Sequence, residues 1–326
     1  MASFSSSSSW LLLLLCMLFF GSAFAHLSEN FYATSCPKAL SIIESGVKSA
    51  ISKDRSLGPS LFKLHFHDCL VGGCDASLLL DGTLAEKNTM PDHNPQKYEV
   101  IDEIKAELEK ECPGVVSCTD ILSVVARDSV VQLGGPNWTV PLGRRDSTKA
   151  NSPLANIGIL SLLGGLNAQI SGFERKGFSK QEFVALTGGH TIGMARCLFY
   201  KKRIHEKKSD IDPEFAKALQ KDCPIFGGDD HYTPIDSTTP LVFDNAYFTN
   251  LINKKGLLQS DQDMYTGKGG VTDDLVLSYS KNNDKFFEDF AKAVVKVGFL
   301  DVLTGNNGVI RTNCRKVDGK TGRTEL

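Results

Sequence analysis

The 326-residue chain is long enough for one large domain or two small ones around a sizeable core. Charged residues make up 23% and the formal net charge is −2, which sets aside nucleic acid and anionic membrane surfaces as partners. The basic clusters Lys201–Arg203 and Lys207–Lys208 flank a helix-like stretch and read as solvated surface.

Trp10 to Phe20 is an unbroken apolar run of eleven residues, short of the ~20 that a bilayer span needs. Gly21-Ser22-Ala23-Phe24-Ala25 follows with an A-x-A pattern, so residues 1–25 are expected to be a signal peptide cleaved after Ala25. Residues 26–326 would then be the mature domain. The Ser-rich lead lacks Lys and Arg, which weakens the signal; an uncleaved anchor is the rival, and the small residues before His26 argue against it. No later segment is apolar for long enough to cross a membrane.

After the signal the periodicity is mainly helical. Leu40, Ile43, Val47 and Ile51 step by three and four, as do Ile101, Ile104 and Leu108, and Phe287, Phe290, Val294 and Val297. The pattern predicts helices over 37–52, 59–69, 98–111, 119–132, 159–176, 180–186, 191–207, 213–221, 244–254, 272–281 and 284–298. Gly134-Gly135-Pro136, Gly227-Gly228 and Gly267 to Gly270 interrupt it as turns, and strand patterns are few and short. The expected fold class is all-α.

Of nine cysteines, Cys16 lies in the presumed signal. The remaining eight are an even number in an exported chain, which suggests four disulfides. No C-x-x-C pair occurs, so a structural zinc site is disfavoured.

The densest polar cluster is Lys63-Leu64-His65-Phe66-His67-Asp68-Cys69, with Pro59 in the expected first turn of its helix. Lys63 and His67 are four apart and share a helical face. A cation beside an imidazole suits peroxide cleavage: the imidazole moves a proton between the oxygens while the cation favours the departing anion. On these seven residues alone, a surface lysine beside a hydrogen-bonded core histidine is the simpler explanation of the pattern. A second histidine, His190, stands in Val184-Ala185-Leu186-Thr187-Gly188-Gly189-His190-Thr191-Ile192-Gly193. Its flanking glycines would let a flat cofactor approach the backbone, and a neutral imidazole is a common axial ligand of haem iron. Asp261 is a candidate partner for its other nitrogen.

These stretches, with Gly73-Cys74-Asp75-Ala76-Ser77, Pro141-Leu142-Gly143-Arg144-Arg145-Asp146-Ser147, Phe243-Asp244-Asn245 and Gln259-Ser260-Asp261, resemble the plant secretory (class III) haem peroxidases from about Leu27 to Cys314. The resemblance implies two all-α halves with one haem b between them, His190 as proximal iron ligand with Asp261 as its partner, and His67 as distal acid–base with Phe66 packed over the haem. It implies two calcium ions. Asp68, Val71, Gly73, Asp75 and Ser77 would hold the distal one, with Glu86 reaching it through water; Thr191, Asp236, Thr239, Val242 and Asp244 would hold the proximal one. The mixture of carboxylate, carbonyl and hydroxyl oxygens is what calcium takes, and the spacing is wrong for an EF-hand. The implied disulfides are Cys36–Cys112, Cys69–Cys74, Cys118–Cys314 and Cys197–Cys223, and the implied buried ion pair is Asp120–Arg144. The implied partners are hydrogen peroxide and small phenolic donors, with the chain a secreted, extracellular monomer. Asn137-Trp138-Thr139 is the only N-glycosylation sequon.

Three positions depart from the family pattern. Lys63 stands where the family has arginine, keeping the charge but losing the planar fork. Asp92 stands where it has asparagine, and its charge would favour protonated His67. Leu160, in Gly158-Ile159-Leu160-Ser161-Leu162, falls where the donor-positioning proline belongs. These departures set a slowed peroxidase with a raised pH optimum against a haem- and calcium-binding structural or storage protein with little turnover.

Overall fold

The computed structural model describes residues 27–82, 94–150, 164–206 and 210–317. The signal segment 1–25, together with Glu86, Asp92 and Leu160, lies outside the described residues.

Among the described residues, four helices build the first half: α1 (Ala39–Lys53), α2 (Leu57–Val71), α3 (Gln96–Glu111) and α4 (Cys118–Gln132). Three of the four stripe residues that predict α1, Ile43, Val47 and Ile51, turn inward toward α3 and α4, while Leu40 is exposed and Ala39 is buried in the first turn instead. Helix α2 is apolar on most of its circumference because it packs on α4 and also touches the last helix. At the start of α4, Ser117 Oγ accepts from the backbone N–H of Asp120 at 3.1 Å, the N-cap bond that satisfies an otherwise orphaned donor.

The second half holds α5 (Leu166–Arg175), α6 (Lys180–Thr187), α7 (Cys197–His205), α8 (Pro213–Leu219), α9 (Ala246–Ile252), α10 (Gln259–Gln262), α11 (Asp273–Lys281) and α12 (Asn283–Val297). A reciprocal capping box of Ser179 and Glu182 starts α6, which packs on α12 and runs into a 3-10 turn, Gly188–Thr191. The expected helix over 191–207 is divided. Gly193 adopts φ +112°, and Met194–Arg196 forms β1, paired antiparallel with β2 (Tyr232–Pro234). Helix α7 begins only at Cys197. This ribbon is the one named sheet among the described residues, so the fold is helical, as expected.

The main apolar core runs continuously through both halves. Phe243, Phe248, Phe286 and Phe290 form its aromatic centre, and Phe62 of α2 reaches Phe290 at 6.0 Å between ring centroids. A smaller cluster around Tyr200, Ile204 and Leu257 lies under β1 and α7. Four disulfides join Cys36–Cys112, Cys69–Cys74, Cys118–Cys314 and Cys197–Cys223, the pairing implied by the resemblance. The Arg144 guanidinium donates to Asp120 at 2.8 Å and to the Gly298 carbonyl at 2.8 Å, both side chains being fully buried. This pair ties α4 to the end of α12.

Candidate active site

Helix α2 places Lys63, Phe66 and His67 at the junction of the two halves. Lys63 is exposed, while Phe66 and His67 are half-buried. Burial, then the charges of Lys63 and Lys97, push the His67 imidazole down to about 4, so it is a neutral base over most of the pH range. Lys97 was not anticipated. It sits in the first turn of α3, only 2% exposed, with its ammonium 5.1 Å from the Tyr98 ring centroid. Among the described residues the net influence on His67 is therefore opposite to the one expected from Asp92.

His65 plays a different part. Two residues from His67 and buried, it sets Nδ1 3.5 Å from both Cys69 Sγ and Ser123 Oγ. Burial, with help from Arg144, pushes it down to about 3. It is a neutral core histidine.

His190 lies in the 3-10 turn after α6. Its Nδ1 is 2.8 Å from Asp261 Oδ1, and Asp261 is held in α10 and buried. The packed surroundings of the ring disfavour its charged form, but the Asp261 carboxylate prevails and holds His190 above its ordinary value. The side chain is 45% exposed although protein surrounds it, and its one hydrogen bond among the described residues is the one Nδ1 makes with Asp261. The Lys63 charge acts on His190 as well as His67, so both histidines lie within reach of one ammonium. An imidazole with Nδ1 committed to a carboxylate and Nε2 open is the arrangement an axial iron ligand requires, so these residues fit a haem.

The glycines beside His190 also serve the packing of the core. A Cβ on Gly188 would meet Phe286 at 2.4 Å and Phe248 at 2.8 Å, and one on Gly189 would come within 3.2 Å of Phe62. They admit core aromatic rings.

Both expected calcium sites contain clustered oxygens. Asp68 accepts backbone N–H bonds from Asp75 at 3.1 Å and Ala76 at 2.9 Å, and Asp75 accepts from Ser77 N–H at 2.9 Å. Val71 ends α2, and Gly73 takes φ +102° with no room for a Cβ against Asp301. On the other side the Thr191 hydroxyl lies 3.3 Å from both Asp236 and Asp244, and the Thr239 hydroxyl is 3.1 Å from Asp244. Val242 joins this loop through its N–H to the Thr239 carbonyl. Burial, with Asp244 adding to it, raises Asp236. No trio of His, Cys, Asp and Glu gathers among the described residues, so calcium at either place would draw on carbonyl and hydroxyl oxygens beside a carboxylate pair.

Two other features lie outside this cluster. A surface groove of about 1100 Å³, lined by Leu166, Asn167, Lys254, Tyr265 and Lys268, contains neither histidine. Asn137 is exposed in the loop after α4. No helix of the described residues is long and apolar enough to cross a membrane.

Comparison with known proteins places this geometry. The family profile described as Peroxidase matches residues 43–282. The chain is 48% identical to Peroxidase 4 of Vitis vinifera over 307 residues, covering 92% of this chain and 95% of the grapevine protein. It is 48% identical to Peroxidase 5 of Arabidopsis thaliana over 299 residues (90% and 93%), and 47% identical to the lignin-forming anionic peroxidase of Nicotiana sylvestris over 312 residues (94% and 95%).

Proposed function

Because the chain belongs to the plant secretory (class III) haem peroxidase family, we propose that it reduces hydrogen peroxide and oxidises small phenolic donors, with His190 holding the iron and His67 moving the peroxide proton. The observation that carries the reading is the pairing of His190 Nδ1 with Asp261 at 2.8 Å, in a cleft where one lysine charge also reaches neutral His67.

When bound, haem b supplies an iron that exchanges two electrons with peroxide and single electrons with phenols. One peroxide and two phenols become two waters and two phenoxyl radicals. Asp261 fixes the His190 ring and draws on its Nδ1 proton, enriching the ligand nitrogen. His67, unprotonated above about pH 4, accepts the proton of one peroxide oxygen and returns it to the other. Lys63 stabilises negative charge on the departing oxygen, and Phe66 walls the cleft against water. Asp92 is assigned to orienting His67, and Leu160 to the donor channel, on the resemblance alone.

Two calcium ions complete the reading. The distal one takes oxygens from Asp68, Val71, Gly73, Asp75 and Ser77, with Glu86 through water; the proximal one takes Thr191, Asp236, Thr239, Val242 and Asp244. Asp68 follows His67 and Thr191 follows His190, so each ion would anchor a catalytic histidine. The remaining proposals are removal of residues 1–25, export to the extracellular space, glycosylation at Asn137 and action as a monomer. The storage-protein alternative rests on the Lys63 and Asp92 departures. The downward push on His67 favours turnover, because only the neutral imidazole accepts a proton.

The test is haem titration of the refolded chain followed by phenol oxidation with hydrogen peroxide. The reading expects a stoichiometric Soret band and steady oxidation, both lost in His190→Ala. A normal Soret band without peroxide-dependent oxidation at any pH would leave the storage alternative.

A further inference from the structure

We propose that Tyr247 is a positioning residue for the iron ligand, its hydroxyl sharing Asp261 Oδ1 with His190 and limiting how strongly the carboxylate draws on the Nδ1 proton. The proposal rests on the reading of His190 as the iron ligand and assigns a control element to that site.

Tyr247 stands in the first turn of α9 and is only 2% exposed. Its ring meets the His190 ring edge-on, with centroids 6.3 Å apart and planes at 82°. Its hydroxyl donates to Asp261 Oδ1 at 3.1 Å, the same oxygen that lies 2.8 Å from His190 Nδ1. The other oxygen, Oδ2, is buried and takes no hydrogen bond from the described residues. Two donors therefore converge on one carboxylate oxygen while its twin has none. Packing alone does not require this, since a phenylalanine would fill the same space against His190 and Phe248.

A phenol donating to a carboxylate stabilises the negative charge there and lowers its demand on any second donor. With Tyr247 in place, His190 keeps more of its Nδ1 proton and binds iron as a more neutral imidazole. Without the hydroxyl, Asp261 has, among the described residues, only the His190 ring to bond, the ligand becomes more imidazolate-like, and the ferric state is favoured. The structural source of the arrangement is local. Asp244 accepts from the Ala246 N–H at 2.8 Å at the start of α9 and lies 3.3 Å from the Thr191 hydroxyl. One carboxylate thereby registers Tyr247 against the turn that carries His190.

The experiment is Tyr247→Phe in the haem-loaded protein, read by the one-electron reduction midpoint and by the ferrous iron–histidine stretch in resonance Raman spectra. The expected result is a three- to tenfold shift of the reduction equilibrium toward ferric iron, ~30–60 mV at ~59 mV per decade, with the stretch moving to higher frequency. Asp261→Asn should move both readouts the opposite way. Adding Tyr247→Phe to Asp261→Asn should produce no further shift, because the hydroxyl acts through the carboxylate. A midpoint and stretch unmoved in Tyr247→Phe, while Asp261→Asn moves them, would overturn the proposal. So would an equal shift in both backgrounds, which also serves if the single variant folds poorly. The ligand reading has its own arm: an iron–histidine band that survives in His190→Gly would mean that His190 is not the ligand.

Discussion

Replacing Lys63 by methionine removes one of the two ammonium groups that, after burial, hold His67 down to about 4. At pH 5.5 an imidazole of pKa about 4 is ~97% neutral, whereas an ordinary one at 6.5 is only ~9% neutral. The wild-type rate of reaction with peroxide should therefore stay level down to about pH 5 and fall about tenfold per unit below about 4. Lys63→Met keeps the burial and the Lys97 charge, so its acid limb should move up from about 4 without reaching the ordinary value. Its plateau should also drop about 10- to 100-fold, the worth of one charge-assisted hydrogen bond of ~1.5–3 kcal/mol to the departing oxygen. Lys63→Arg should keep the limb low and raise the plateau, and Asp92→Asn should lower the limb further by removing an anion. Stopped-flow absorbance of the haem-loaded protein mixed with excess peroxide, from pH 3.5 to 8, measures both parameters. A wild-type midpoint at or above 6.5, or a downward move of the limb in Lys63→Met, would refute the account of Lys63 and His67.

The haem-free protein should lose stability in acid through His65. Its folded value, about 3, lies below the unfolded ~6.5, so the unfolded chain binds the proton first and stability falls as pH drops between those values. Going from pH 6.5 to 4.5 should cost about 2–3 kcal/mol from this residue, measured as the difference in urea unfolding between wild type and His65→Gln. Paired Cys→Ser replacement of Cys118 and Cys314, which closes 196 residues of chain, should destabilise by about 5 kcal/mol in the loop-entropy account, against about 2 for Cys69 and Cys74, separated by only 5. Equal losses in chemical denaturation would contradict that ordering. Calcium added to chelated protein should raise the melting temperature in two titratable steps. Asp244→Asn should abolish one step and Asp68→Asn the other, as followed by calorimetry.

Most helices were legible because each buries the greater part of the stripe that its spacing advertises, as Ile43, Val47 and Ile51 do in α1, although Leu40 is exposed and in α12 Phe286 rather than Phe287 is fully buried. The stretch 191–207 misled because its apolar residues suit a helix, whereas Gly193 and the pairing of β1 with a distant β2 are decided by tertiary structure. The partnership of His190 with Asp261 could be read from the sequence, and the two side chains lie 2.8 Å apart. The purpose of Gly188 and Gly189 could not be read, since the rings that fill the space arrive from α9, α12 and α2. Lys97 follows a glutamine at a helix start and looks like surface; only the packing around α3 buries it. Tyr247 reads as one more core aromatic, because nothing local announces that its hydroxyl meets Asp261 fourteen residues on.

The central claim is that neutral His67 moves the peroxide proton at an iron held by His190. Its most direct test is the bimolecular rate of the haem absorbance change on mixing with hydrogen peroxide at pH 7, wild type against His67→Leu. A peroxide-dependent change is expected in wild type that slows by about 10²–10⁴-fold in the variant, with the Soret band of the resting protein retained. Equal rates in the two proteins, or no change in wild type, would contradict it.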